Sequence, residues 1–203
     1  DLTDPEGHGT YVYELLKETA PEAELYMLKC FDSSTAIIQA VYDAVDVYDA
    51  DIINMSWTLN QDSEELHEAI CYAAKQNVLL VAAAGNLSLS TPLGSQVYPA
   101  SWEEVIGVSG ADLNEQGEPV SSLWYLQSDA VFVSADGNYQ GEKGSSFAAP
   151  RISGILAGYL DRTSEEKHTQ SYAEEYLKSI AVDAGHPGYD TVFGWGYVKN
   201  TAG

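Results

Sequence analysis

Apolar and polar positions alternate along this chain in two rhythms. Short apolar runs bounded by polar residues, at 25–30, 51–56, 78–84, 105–108 and 130–133, predict β-strands. Between them, Ile37, Ile38, Val41, Val45 and Tyr48 recur at helical spacing and predict a helix over 34–48. Leu66, Ala69, Ile70, Ala73 and Ala74 share the face of a second helix, which Asp62 and Glu65 open as a capping box. Further helices are expected after residue 8, over 146–160 and over 171–180. The 78–84 run is apolar at every position, the pattern of a strand covered on both faces, as in a parallel sheet. Strand and helix in alternation predict an α/β domain with helices on both faces of the sheet. Nothing marks a linker or an internal repeat, so a single domain over 1–203 is expected.

The charge narrows the range of partners. With 31 acidic against 9 basic side chains the net charge is -22, which argues against nucleic acid, because phosphate binding needs clustered Lys and Arg. A solvated acidic surface is the simple reading, and an attraction for basic peptides is the sharper one. The apolar run at 78–84 is far too short to cross a bilayer, so no membrane partner is expected. Cys30 and Cys71 permit a disulfide, and two buried thiols fit as well. Neither cysteine shows metal-ligand spacing on this reading, so no metal site is expected. His67, His168 and His186 call for nothing beyond surface roles.

Three segments carry candidate chemistry. In Gly7-His8-Gly9-Thr10 the histidine suits a general base, although a His between glycines is also an ordinary loop residue. In Gly144-Ser145-Ser146-Phe147-Ala148-Ala149-Pro150 a serine meets the start of a helix. There the free N–H groups and the positive end of the dipole would favour an oxyanion, while a plain N-cap explains the serine equally well. Ala82-Ala83-Ala84-Gly85-Asn86 ends a buried strand with an amide, placed where α/β sheets put their ligands.

Taken together and in this order, the three segments resemble the subtilase family of subtilisin-like serine peptidases. Further landmarks are Ile53-Asn54-Met55-Ser56, Val97-Tyr98-Pro99-Ala100 and Phe193-Gly194-Trp195-Gly196. The resemblance implies a three-layer, doubly wound α/β fold with a mostly parallel sheet, here lacking its first strand. It implies His8 as general base, Ser146 as nucleophile and Asn86 as an oxyanion donor, with Ser145 in the place of the family's usual Thr. Ser56, Trp57, Thr58 and Val97 fall at substrate-binding positions, and Val97 implies a shallow pocket for small side chains. No cofactor is implied, calcium entering by family analogy alone, and an extracellular location is favoured on the same ground. The implied partners are a peptide or protein substrate and an upstream segment or pro-peptide.

The sequence departs from the family in one place that matters. The triad aspartate stands upstream of the histidine in relatives; Asp1 and Asp4 lie too near His8 to replace it, so the aspartate is expected outside this chain. Two readings follow: a serine endopeptidase completed from outside, or an inactive subtilase scaffold that binds a peptide or partner. The upstream segment would also supply a sheet strand, so the 25–30 and 51–56 runs must either pair directly or leave a gap. Tyr11, Tyr13 and Glu14 replace smaller or different residues after His8 and are expected to crowd that helix without touching a catalytic role.

Overall fold

The structure is a computed structural model that describes residues 3–31 and 33–199. Along the chain run α1 (His8–Thr19), α2 (Ser34–Asp46), β1 (Ile52–Met55), α3 (Glu64–Lys75), β2 (Leu79–Ala83), β3 (Ile106–Leu113) and β4 (Pro119–Val120). Then follow β5 (Val133–Asp136), β6 (Asn138–Tyr139), β7 (Glu142–Lys143), α4 (Ser145–Arg162), a short 3-10 turn (Glu165–Lys167) and α5 (Gln170–Ile180). Strands β1, β2, β3 and β5 lie parallel in that order, with Ile53 opposite Leu80, Ala82 opposite Gly107 and Val108 opposite Val133. Strand β4 folds back antiparallel on the end of β3, and β6–β7 form a separate hairpin.

Side chains of a strand point to alternate faces, and β2 shows what that does here. Leu80 and Ala82 join Ile37 and Val41 of α2 and Leu66 and Ile70 of α3. Leu79 and Val81 join Ile152 and Leu156 of α4 and Leu177 of α5 on the opposite face. The apolar run therefore feeds two cores at once, and the three layers follow from it. Ile152 and Leu156 are fully buried, each worth about 1.5–3 kcal/mol in apolar transfer. Among the described residues no helix is long and apolar enough to cross a membrane.

The structure corrects three expectations. The 25–30 run forms no strand: it carries no ladder, and Tyr26 and Met27 are exposed. Among the described residues it joins no ladder with β1, which pairs with β2. Apolar composition makes a strand only where a neighbour can accept its N–H and C=O groups. The 130–133 run begins its strand at Val133, because the Val131 N–H is spent in a turn on the Ser128 carbonyl and Phe132 opens the ladder on Gly107. Helix α3 is capped by Ser63 rather than Asp62: its hydroxyl accepts from the Leu66 N–H at 3.3 Å. The Cys30–Cys71 disulfide is absent, the Cys71 thiol donating instead to Glu104.

Candidate active site

The Ser146 end of the site is built by a helix start that cannot satisfy itself. The first N–H groups of a helix have no partner within it. Here the Ser145 N–H donates to Asn86 Oδ1 at 3.0 Å, while the Ser145 hydroxyl accepts the Gly85 N–H at 3.1 Å. These two bonds tie the first turn of α4 to the turn that ends β2. Gly85 holds that turn at φ +97, a conformation that side chains rarely adopt, and Val97 and Leu126 fill the space where a Cβ would stand.

With Oδ1 committed to Ser145, the amide of Asn86 presents its Nδ2 toward Gly144, 3.4 Å from where a Cβ would lie. The sequence placed Asn86 here; the buried Ser145 that orients it was noted as a substitution and assigned no task. Its signal lay in the sequence, since a second small hydroxyl at a helix start competes for free N–H groups.

Pro150 adds a further consequence. It lies within α4 and has no N–H, so the Ser146 carbonyl four residues earlier loses its helical donor. Ser56 supplies the replacement, its hydroxyl donating to the Ser146 oxygen at 2.8 Å. Asn54 Nδ2 donates to Ser56 Oγ at 3.0 Å, and Ser153 Oγ donates to Asn54 Oδ1 at 2.9 Å. Ser56 is buried, so its hydroxyl acts as a clamp on the nucleophile turn. The Trp57 and Thr58 backbones are another matter: neither makes a backbone hydrogen bond among the described residues, and Leu59 next to them bridges Tyr98 through bonds of 2.7 and 2.8 Å. Trp57 is half-buried with its ring edge-on to Phe31 at 5.7 Å. Val97 is fully buried behind Gly85 and reaches no open surface.

His8 opens α1 after Gly7, which sits at φ +73 and offers no side-chain cap. Asp4 caps the helix from upstream: its Oδ2 accepts the Thr10 N–H at 2.7 Å and the Thr10 hydroxyl at 2.8 Å. The Thr10 backbone bond is the main cause that holds the Asp4 carboxyl below its usual value. Asp4 is thus occupied at the helix cap, and among the described residues no carboxylate hydrogen-bonds the exposed His8 ring.

Helix α1 is seated on α4 and on the β6–β7 hairpin. Gly154 lets Thr19 approach so closely that a Cβ would stand 2.0 Å from the Thr19 hydroxyl. Tyr139 donates to Glu14 and Glu18 at 3.1 Å each, and Gln140 donates to Glu14 at 3.1 Å. The rings of Tyr11, Tyr139 and Phe147 pack together, and the His8 ring lies 5.7 Å from that of Phe147, the residue after Ser146. Tyr11 and Glu14, expected to crowd the helix, are its docking contacts. The structure therefore gathers His8, Asn86 and Ser146 around the first turn of α4.

Comparison with known proteins identifies the family. The subtilase (Peptidase S8) family model matches residues 3–196. The minor extracellular protease Epr of Bacillus subtilis is 33% identical over 222 residues, covering 98% of this chain and 33% of that protein. Subtilisin DY of Bacillus licheniformis is 30% identical over 207 residues, covering 92% of this chain and 74% of that protein. Among solved structures, a lanthipeptide protease superposes with a TM-score of 0.77 at 22% identity, covering 98% of this chain and 75% of that one. Fervidolysin of Fervidobacterium pennivorans, a keratinolytic enzyme, superposes with a TM-score of 0.70 at 26% identity, covering 83% of this chain and 28% of that one. The chain thus spans about a third of the Epr protease it matches, and by its family model, its relatives and its fold it belongs to the subtilase family.

Proposed function

We propose that this chain carries the base, nucleophile and oxyanion site of a serine endopeptidase, with the triad carboxylate supplied from outside it. The Asn86–Ser145 bond carries the proposal, because it fixes the amide with its N–H donors toward the nucleophile turn. Ser146 Oγ attacks the substrate carbonyl as His8 takes its proton. The tetrahedral oxyanion is met by Asn86 Nδ2 and by the Ser146 N–H, which has no partner within the helix. His8 then protonates the departing amine, and water releases the acyl group from Ser146 by the same steps in reverse order. A peptide or protein segment would run beside Trp57 and Thr58, whose backbone groups are open to add a strand.

A second reading, an inactive scaffold that binds a peptide, is favoured by one observation: Asp4, the aspartate nearest His8 in sequence, is committed to capping Thr10. Labelling with a fluorophosphonate separates the two. The chain together with its upstream region should label at Ser146, and Ser146→Ala should abolish both labelling and turnover. In subtilisin the equivalent loss is about 2 × 10⁶ in kcat, and loss of the aspartate alone costs about 3 × 10⁴. A folded protein that stays unlabelled in the extended form leaves the scaffold reading standing.

A further inference from the structure

On the side of the sheet that α2 and α3 cover, away from Ser146, three side chains of different metal-binding chemistry converge. His67 and Cys71 lie four residues apart on α3, so they share one helix face. Glu104, from the loop that enters β3, reaches them both: its Oε2 is 3.0 Å from His67 Nε2, and its Oε1 accepts from Cys71 Sγ at 3.2 Å. The three candidate ligand atoms lie within 4.8 Å of one another. The indole of Trp102 stacks on the imidazole of His67, with ring centroids 4.5 Å apart and planes 7° from parallel. That contact fixes the ring with Nε2 turned to Glu104. All three residues are half-buried. The expectation of no metal-ligand spacing near either cysteine is corrected by His67 and Cys71, which lie one helical turn apart on α3.

We propose that His67, Cys71 and Glu104 form a binding site for a borderline-soft divalent transition ion, with Zn²⁺ as its best fit. An imidazole nitrogen, a thiolate and a carboxylate are the ligand set of zinc, and tetrahedral bonds of about 2.0–2.3 Å bring such donors to the mutual separations found here. A hard ion such as Ca²⁺ or Mg²⁺ takes oxygen ligands and is not served by sulfur and nitrogen. On binding, the Cys71 thiol gives its proton to solvent and forms the metal–sulfur bond, so thiolate and carboxylate together neutralise the ion's charge. The ion would clip the loop carrying Trp102 and Glu104 to α3. That loop begins beside Tyr98, whose ring lies 5.1 Å from Trp102 and whose backbone bridges Leu59. The clip therefore braces, from behind, the segment that follows Thr58. It is independent of whether Ser146 is reactive.

The test is a Co²⁺ titration of the reduced chain, followed by absorption. The expected result is one equivalent of saturable binding, with a near-ultraviolet thiolate-to-cobalt charge-transfer band and visible bands of a tetrahedral ion. Cys71→Ser should lose the near-ultraviolet band, whereas Cys30→Ser should keep it. Glu104→Gln should keep the band and weaken binding by at least about tenfold, since losing a ligand costs no less than losing an outer partner of one. Zn²⁺ should displace the cobalt and raise the melting temperature of the unaltered chain but not that of Cys71→Ser. A folded chain with no saturable charge-transfer band, or a band that survives in Cys71→Ser, overturns the proposal and leaves a hydrogen-bonded trio that holds no ion.

Discussion

Two helix starts meet at Phe147, and the chain secures them by different means. At the first turn of α4, Ser145, Asn86, Ser56 and Asn54 link the turn to the ends of β1 and β2, and these links are half-buried or buried. At the first turn of α1, His8 is exposed, and the cap comes from Asp4, itself exposed. What seats α1 lies further along it, at Tyr11, Glu14 and Thr19. The Ser146 side is thus held in place by the sheet, while the His8 side is placed by docking one helix on another, and among the described residues no carboxylate hydrogen-bonds the His8 ring. A catalytic histidine without a hydrogen-bonded partner is free to choose its tautomer and its rotamer. On the proposed function, the carboxylate from outside the chain acts at the His8 ring and not around Ser146.

The sharpest way to test the Ser146 side is to separate holding from chemistry at Asn86. Asn86→Ala removes both the acceptor for Ser145 and the donor to the oxyanion. In the active, extended protein it should lower kcat by about 10²–10³ with a much smaller change in KM. Asn86→Asp keeps an acceptor for the Ser145 N–H and loses the donor. It should lose at least as much kcat while its urea midpoint stays near that of the parent. If Asn86→Asp instead retains near-normal kcat, the amide positions the turn and does not touch the oxyanion.

A smaller effect follows from Pro150 and Ser56. Removing the Ser56 hydroxyl leaves the Ser146 carbonyl without a donor, so Ser56→Ala should cost about 1–3 kcal/mol of stability by urea denaturation. Pro150→Ala returns an N–H that can reach the same oxygen. The double variant should therefore lose less than the sum of the two single losses. Strict additivity would mean that the two residues do not serve one carbonyl.

The features that were legible in the sequence are those set by short-range rules. The run at 78–84, apolar at every position, gave a strand buried on both faces, and the helical spacing at 34–48 gave α2. The three chemical segments were readable because their order on strand-helix units is restrictive. Where the reading failed, a partner distant in the sequence made the decision. The 25–30 run has the composition of a strand but, among the described residues, joins no sheet. The bond from the Ser56 hydroxyl was equally hidden, because the carbonyl that Pro150 leaves open lies 90 residues away. Tyr11 and Glu14 read as crowding, because their partners on the β6–β7 hairpin are more than 120 residues away. The packing of Val97 behind Gly85 had no signal in the sequence either.

The smallest effect tests the α1 side, through Asp4. The bonds from Thr10 hold its carboxyl below the ordinary value in the folded chain. A group depressed in this way adds stability above its unfolded pKa and loses it as the pH falls through its folded value. Because Asp4 is exposed, that contribution is small and screened by salt. Asp4→Asn can still accept from the Thr10 N–H, but as a neutral group and so more weakly. The variant should be slightly less stable than the parent at neutral pH, and the two should converge as the pH drops below the ordinary carboxylate range. Melting temperatures of both proteins, followed from neutral pH downward, measure this directly. Parallel curves with no convergence would show that Asp4 caps α1 by shape alone. The charge of Asp4 would then contribute nothing to the placement of His8.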